Sequence, residues 1–446
     1  MRKFDLIVIG FGKAGKTLAA KAASMGKKVA LVEKSASMYG GTCINVGCIP
    51  SKKLLTLSEA AKAHSDKRAY FSSAMQAKDA LISALRAKNY AMLNDLNGVE
   101  VINGVASFED KESVKVKLGD GTEELLSAPN IIINSGSKDA KPKFEINSTI
   151  AYTSEQILSL SELPERLVVV GGGYIGLEMA SIYSNFGSKV TILSRSNLLK
   201  NEDADIRESV IAALKAQGII IYEGVQIESI GGDNVKFTRT QESFSLQADA
   251  FLLATGRQAN TEELDLFNAS IATDDAGNII VNEFLQTSEP NIYAVGDVKG
   301  GELFTYISLD DYRIVFDHLY GSKKRSTKNR SVHASVVFMD TPLAKVGLSK
   351  EAAIKAGYNP TEISLPMAAV PGAKILGHDT GLLKAVVDAS THEILGASFH
   401  AVQAHEVINT LAVAMGFKAS ADFMKAQIFT HPSISEALNE LFNKFN

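Results

Sequence analysis

The strongest constraint on this chain is a unit that it contains twice. The first copy runs FDLIVIGFGKAGKTLAAKAASMGKKVALVE, from Phe4 to Glu33; the second runs LVVVGGGYIGLEMASIYSNFGSKVTILSRS, from Leu167 to Ser196. Each is an apolar run, a G-x-G-x-x-G loop, a stretch with helical spacing and a second apolar run. Gly10, Gly12 and Gly15 align with Gly171, Gly173 and Gly176. Unbroken β-branched runs suit strands covered on both faces of a parallel sheet. Glycines at the helix start let a pyrophosphate reach the helix N-terminus, where backbone N–H groups and the helix dipole favour an anion. One such loop is a weak signal. Two, each in βαβ context, predict an α/β chain with two doubly wound dinucleotide-binding domains.

The first loop also spells G-x-x-x-x-G-K-T, a P-loop with Lys16 and Thr17 in the nucleotide-triphosphate positions. The downstream residues separate the two readings. A dinucleotide fold wants an acid at the end of its second strand for the adenosine ribose, and Glu33 ends VALVE. A P-loop wants a strand ending in Asp for Mg²⁺, yet the nearest later apolar strand, IIIN, ends in Asn134. The dinucleotide reading is preferred, with Lys16 and Thr17 as ordinary residues in the first turns of a helix. At the equivalent place in the second copy stands Ser194, followed by Arg195 and later Lys200. Absence of a carboxylate there suits a ribose 2′-phosphate, which favours NADPH over NADH.

The 446 residues suggest about three domains. Segments 99–107 and 113–118 read as strands and 51–97 as long surface helices. The apolar stretches NIIINSG, ADAFLLATGR and NIYAVGDV read as buried strands leading to Gly136, Gly256 and Asp297. The polar, basic run GSKKRSTKNRS (321–331) reads as a linker. Beyond it, alternating segments and helical spacing over 405–416 and 434–445 predict an α+β third domain. A net charge of −4 gives no polyanion-binding surface, so no nucleic-acid partner is expected. No run approaches the ~18 apolar residues of a spanning helix, and MRK leads into a short run carrying Asp5 rather than into a signal peptide. A cytoplasmic protein with no membrane partner is expected.

Only two cysteines occur, Cys43 and Cys48, in YGGTCINVGCIPSKKLL. Four-ligand zinc spacing is absent. On a regular helix, residues five apart are separated by ~7.5 Å of rise, too far for a disulfide. Pro50 cannot donate to the Val46 carbonyl, and with Gly47 it lets the first turn distort and bring the sulfurs together. A small strained loop at a helix N-terminus lowers a thiol pKa and makes a labile disulfide, so the pair reads as a redox centre.

Two dinucleotide folds with GGTCINVGCIPSK after the first resemble the class I pyridine nucleotide–disulfide oxidoreductases, which include lipoamide dehydrogenase, glutathione reductase and mercuric reductase. The segments GFGKAGKT, FTYISLDDYRIV and QIFTHPSISEALNELF are most similar to the bacterial reactive-chlorine-resistance flavoproteins, described as copper(II) and hypothiocyanous acid reductases. The resemblance implies a glutathione-reductase-like fold. An FAD-binding domain would span 1–150 and 260–325, an NAD(P)-binding domain 151–259, and a C-terminal dimerisation domain 332–446. It implies FAD against Gly10, Gly12, Gly15, Glu33, Gly41, Thr42, Gly136 and Asp297. It implies NAD(P)H against Gly171, Gly173, Tyr174, Gly176, Ser194, Arg195 and Gly256, with Tyr174 lidding the nicotinamide pocket. Cys48 would be the flavin-facing thiol, Cys43 the substrate-facing one, and Lys52 and Glu178 a pair near the flavin. His431, held by Glu436 in THPSISE, would carry protons in the partner subunit's site of a homodimer.

Departures narrow the substrate. With no third cysteine, the chain lacks the extra C-terminal pair of mercuric reductases. Lipoamide dehydrogenase, an NAD enzyme, would want an acid at Ser194. Leu343 follows Pro342 where many relatives have Glu. His400, His405 and Glu406 in HAVQAHEV read as the start of an interface helix rather than as a metal site. The expected reaction is NAD(P)H-dependent reduction of a small oxidant, hypothiocyanous acid first, in oxidative-stress defence. Copper(II) reduction and a dihydrolipoyl dehydrogenase-like activity are the alternatives.

Overall fold

The computed structural model describes residues 1–445. The run LIVI forms β2 (Leu6–Ile9), which lies parallel to β3 (Val29–Glu33) on one side and β7 (Ile131–Ile133) on the other. The strand Ile292–Ala294 closes that edge beyond β7. β4 (Val99–Phe108), β5 (Ser113–Leu118) and β6 (Glu123–Ser127) continue the sheet antiparallel to one another, and β1 (Arg2–Lys3) pairs β6. β2, β3 and β7 have no exposed residue because both faces are covered, one by the helices at 13–23 and 305–320 and the other by the antiparallel strands of 99–127 and the 259–298 segment, which is why their sequence is continuously apolar rather than alternating.

The second copy builds its own five-stranded parallel sheet from Ala151–Thr153, Ala250–Leu253, Arg166–Val170, Lys189–Ser194 and Ile220–Glu223. A ribbon, Gln226–Gly231, Asn234–Arg239 and Glu242–Gln247, packs beside it and takes Glu145–Asn147 as its fourth strand. A domain break at residue 150 therefore cuts into this second unit; the short strand 145–147 lacks an apolar run that would have marked it. The third sheet is antiparallel, in the order Ala334–Val337, Leu343–Gly347, Ile394–His400, Leu382–Asp388, Pro360–Pro366.

Seven helices position the site: α1 (Lys13–Ala23), α2 (Thr42–Asn45), α3 (Cys48–Ala61), α4 (Lys67–Asn94), α5 (Tyr174–Phe186), α6 (Ala204–Ala216) and α7 (Thr305–Tyr320). The 321–331 stretch is irregular, as its composition suggests, but it is pinned. Asp317 accepts the backbone N–H groups of Ser322, Lys324 and Arg325, while Arg330 pairs with Asp310 and Asp311. Leu343 is buried in the core that joins the second sheet to the third, where a carboxylate would be desolvated without a partner.

Candidate active site

The two glycine loops repeat one another bond for bond. Gly10 N–H donates to Val32 O at 2.8 Å, and Gly171 N–H donates to Leu193 O at 2.9 Å. Gly10 and Gly171 adopt φ of 103° and 121°, open to glycine at little strain. Gly12 and Gly173 cap α1 and α5 without any side-chain hydrogen bond, and neither helix has an acid in its first turn. Two helix N-termini are thus left with donors and positive dipole ends facing outward, a fit for two pyrophosphates.

Around the first loop, Glu33 accepts from Phe11 N–H at 2.9 Å and Ser35 N–H at 3.1 Å. Burial raises its pKa, and those backbone donors pull it back. A flavin's adenosine end fits here: a buried carboxylate, an uncapped helix and glycines at the approach. Asn134 braces the loop. Its Nδ2 donates to Gly10 O at 3.0 Å, and a Cβ on Gly12 or Gly15 would come within 2.8 or 2.6 Å of that nitrogen. Gly41, at φ 77°, packs so closely on Gly12 that its Cβ would lie 2.7 Å from the Gly12 Cα. That contact brings Thr42, at the head of α2, against the first loop. Asp297 accepts from Ser137 Oγ at 2.7 Å, which accepts in turn from Arg257 Nε at 2.8 Å. Gly136 and Gly256 both take positive φ where the chain turns out of the sheets.

The cysteines sit on two successive helices, one short and one long, rather than one distorted turn. α2 ends at Asn45, Val46 and Gly47 break the chain, and Cys48 begins α3. Both are free thiols. Each is the largest influence on the other's proton. The hydrogen bond they share pushes Cys43 up, with burial adding to it, and lowers Cys48 to about 6 against an opposing desolvation. Cys48 is solvent-accessible, yet enough atoms crowd its sulfur for that desolvation to count. Lys52 supports the Cys48 thiolate, and Thr305 Oγ1, at the start of α7, lies 3.7 Å from its sulfur.

Behind Cys48, Lys52 Nζ donates to Glu178 Oε2 at 2.6 Å, joining α3 to α5 of the second unit. Glu178 Oε1 accepts Phe338 N–H at 3.0 Å, and the lysine lies over the Phe338 ring. Glu178 is 10% exposed, so loss of Lys52 leaves a buried charge unpaired, at about 3–5 kcal/mol. Tyr174 is half-buried, and Lys345 pairs with Glu202 at 2.5 Å. Gly176 is required by packing: its Cβ would lie 2.1 Å from Gly171 O. Ser194 is 3% exposed and donates to Ser196 O at 2.7 Å, so it shapes its own turn; Arg195 is exposed.

His431 Nδ1 lies 2.8 Å from Glu436 Oε2, and the imidazole is 73% exposed. Among the described residues no hydrogen bond links it to the cysteines of its own chain. His400 is wholly buried with Nδ1 2.8 Å from Ser209 Oγ, and desolvation lowers its pKa to about 4. His405 packs on Phe338. Among the described residues no group of three His, Cys, Asp or Glu is disposed to hold a metal ion.

Sequence reasoning missed Asn134, Thr305, Phe338 and the setting of Lys16. IIIN ends beside the glycine loop it braces, and Thr305 lies inside a segment already notable for its resemblance. Phe338 left no signal.

Residues 4–314 match the pyridine nucleotide-disulphide oxidoreductase model, and 333–442 match the dimerisation domain of the same enzymes. The chain is 44% identical to the Escherichia coli probable pyridine nucleotide-disulfide oxidoreductase RclA over 99% of both chains. It is 34% identical to a Staphylococcus aureus mercuric reductase, over 98% of this chain and 81% of that one. A structure titled as the Cu(II) complex of the HOCl-induced flavoprotein disulfide reductase RclA from E. coli superposes with a TM-score of 0.94 at 42% identity, over 99% of both chains. Members of this family use FAD and NAD(P)H, and the two uncapped glycine loops fit both. The chain belongs to the pyridine nucleotide–disulfide oxidoreductases, and is a flavoprotein disulfide reductase of the RclA type.

Proposed function

We propose that the protein reduces a small thiol-reactive oxidant, with hypothiocyanous acid as its substrate, in oxidative-stress defence. The observation that carries this reading is a pair of free thiols on successive helices, each the largest influence on the other's proton, with Cys48 beside Thr305 and Lys52, in a chain with no further cysteine to relay electrons onward.

Gly12, Gly41 and Glu33 would hold FAD, which would supply an electron pair taken from NAD(P)H. The second loop at Gly173 would hold NAD(P)H, with Tyr174 as its lid and Arg195 favouring a 2′-phosphate. Lys52 and Glu178 keep the wall behind Cys48 charged but neutral overall. Cys48 and Cys43 hold the electron pair as a dithiol. The Cys43 thiolate attacks the sulfur of hypothiocyanous acid, forming Cys43–S–SCN, and His431 of the partner subunit, oriented by Glu436, protonates the departing hydroxide to water. Cys48 then attacks the Cys43 sulfur, restores the disulfide and releases thiocyanate. Each cycle consumes one NAD(P)H and one hypothiocyanous acid and yields NAD(P)⁺, thiocyanate and water, with no net uptake of protons.

A site shared in this way requires a homodimer. The exposed Phe417, Ile428, Phe423 and Val413 of the C-terminal domain are apolar surface suited to such an interface. No helix of the described chain is long and apolar enough to cross a membrane.

Cys43→Ser is expected to abolish NAD(P)H-dependent hypothiocyanous acid reduction; full retention overturns the mechanism. The Cu(II) complex of the E. coli relative favours a second reading, copper(II) reduction. Cu(I) formation by a Cys43→Ser/Cys48→Ser double variant would assign it to the flavin alone. The 33% identity to a Chaetomium thermophilum dihydrolipoamide dehydrogenase is tested by dihydrolipoamide turnover with NAD⁺.

A further inference from the structure

Between the strands Ala334–Val337 and Leu343–Gly347 of the third domain, the chain runs Phe338-Met339-Asp340 along the seam where α3 packs on α5. Three residues of α5, at i, i+3 and i+7 and so on one face of the helix, bond to this segment. Glu178 Oε1 accepts Phe338 N–H at 3.0 Å, Ser181 Oγ accepts Asp340 N–H at 2.9 Å, and Asn185 Nδ2 donates to Asp340 Oδ1 at 3.3 Å. From α3, Lys62 pairs with the same Asp340 carboxylate, and the Lys52 ammonium lies over the Phe338 ring, 4.8 Å from its centroid. Ser181 and Asn185 are buried, so leaving them without these partners would strand polar groups away from water. The segment is thus fastened to both helices rather than merely resting on them.

On α3, Lys52 stands one turn after Cys48 and on the same face. A lysine side chain is long and flexible, so where its ammonium rests has to be imposed by what surrounds it. Glu178 Oε2 takes the ammonium at 2.6 Å. Phe338 then holds both members of the pair, the lysine by its ring and the carboxylate by its N–H. His405, at the head of the helix Ala404–Gly416, packs on the same ring with 5.5 Å between centroids and so limits its swing. The groups facing Cys48 are Cys43 on α2, Lys52 on α3, Glu178 on α5, and Thr305 and Tyr306 on α7. Lys52 favours the Cys48 thiolate and Glu178 opposes it. An ammonium free to leave would withdraw its support and leave Glu178, still bonded to Phe338 N–H, as an uncompensated negative charge.

We propose that Phe338 is a positioning residue: its ring and its N–H together hold the Lys52–Glu178 pair one turn from Cys48, so that the third domain takes part in setting the charge at that thiol. The reading of Cys48 as the flavin-facing thiol gives this its purpose, but the test needs no oxidant and its outcome stands whichever oxidant the protein reduces. In reduced, FAD-loaded protein, iodoacetamide alkylation against pH, followed by peptide mass spectrometry, reports Cys48 separately from Cys43. Phe338→Leu and Phe338→Met keep an apolar side chain and the N–H donor but remove the aromatic face. Each is expected to raise the Cys48 midpoint by about half a unit, an about 3-fold slower reaction at about pH 5. Phe338→Tyr keeps the face and should keep the midpoint. In Lys52→Met protein, adding Phe338→Leu should shift nothing further, because the ring then has no ammonium to hold. An unchanged midpoint in both Phe338→Leu and Phe338→Met overturns the proposal. So does an equal shift in the Lys52→Met background, which would make the effect one of packing, or a Phe338→Tyr midpoint as high as that of Phe338→Leu. Loss of FAD from both Phe338→Leu and Phe338→Met also overturns it, because the segment would then support the cofactor site as a whole rather than the ion pair.

Discussion

The two copies of the nucleotide-binding unit have the same backbone and different walls. Gly10 and Gly171 make equivalent hydrogen bonds, and a Cβ on either would strike a carbonyl oxygen on the next strand, that of Asn134 or of Ala254. In the first copy the residue at that place has an amide that bonds back to Gly10 and presses on Gly12 and Gly15. In the second it has a methyl group. Gly12 is hemmed in by Asn134 and by Gly41, whereas nothing lies within 4 Å of a Cβ on Gly173. One loop is built into the fold from two directions; the other opens to solvent at Gly173. The difference matches the two roles a flavoprotein reductase needs, a cofactor that stays and a nucleotide that leaves each cycle.

Placing one residue in both loops breaks the comparison most directly. Gly12→Val is expected to yield protein without bound flavin, seen as absence of the yellow absorbance in purified material. Gly173→Val should remain yellow and instead raise the KM for NADPH by roughly 10-fold or more, since the helix N-terminus is blocked only where the exchanging nucleotide arrives. A colourless Gly173→Val or a yellow Gly12→Val would show that the walls do not separate the roles. The next largest effect converts the first loop toward the second. Asn134→Ala removes one hydrogen bond to a half-buried carbonyl, about 1–3 kcal/mol, and should speed flavin release on dilution by roughly 5- to 100-fold.

How much of this was legible follows from the same contrast. Both loops were read because glycine spacing, apolar runs and Glu33 are local and periodic. The sheet that each run enters follows from burial on both faces. What the loops touch was not legible. Asn134 lies far from Gly10 in sequence, and its end-of-strand position was used only to reject a Mg²⁺ site. Lys16 was set aside with Thr17, whose hydroxyl does only donate to Lys13 O within the helix, at 2.7 Å. The lysine's hydrogen-bond partner, Asn89, comes from α4, and no spacing along the chain announces it. Two helices in place of one distorted turn at the cysteines follow from Val46 and Gly47 together, where only Gly47 and Pro50 had been weighed.

The closed copy also carries the thiols, because Gly41 seats α2 on Gly12. Cys48 is depressed to about 6, first by its hydrogen bond with Cys43 and less by Lys52. Its thiolate is therefore present above that pH and lost as pH falls through it. In reduced protein, Cys48 alkylation followed by peptide mass spectrometry should stay fast down to about pH 6, where an ordinary thiol near 8.5 would have slowed more than 100-fold. Cys43→Ser should raise the midpoint more than Lys52→Met does. The reverse order would mean that the second unit, through Glu178 and Lys52, governs the thiol more than its own partner does.

The smallest expected effect lies at the end of the strand after each loop. Glu33 is buried and held by two backbone donors, whereas Ser194 is occupied with Ser196 O and is followed by exposed Arg195. Ser194→Glu makes the second copy resemble the first at this point: the carboxylate would accept a free 2′-hydroxyl and repel a 2′-phosphate. One charge-assisted hydrogen bond gained or lost at a partly solvated site is worth about one factor of 10. The ratio of kcat/KM for NADPH over NADH should accordingly fall about 10-fold, with flavin content unchanged. Arg195→Ala should lower the same ratio by less, because it removes an attraction without adding a repulsion. A ratio indifferent to both substitutions would place nucleotide preference elsewhere in the open copy, and the correspondence between Glu33 and Ser194 would then be one of backbone alone.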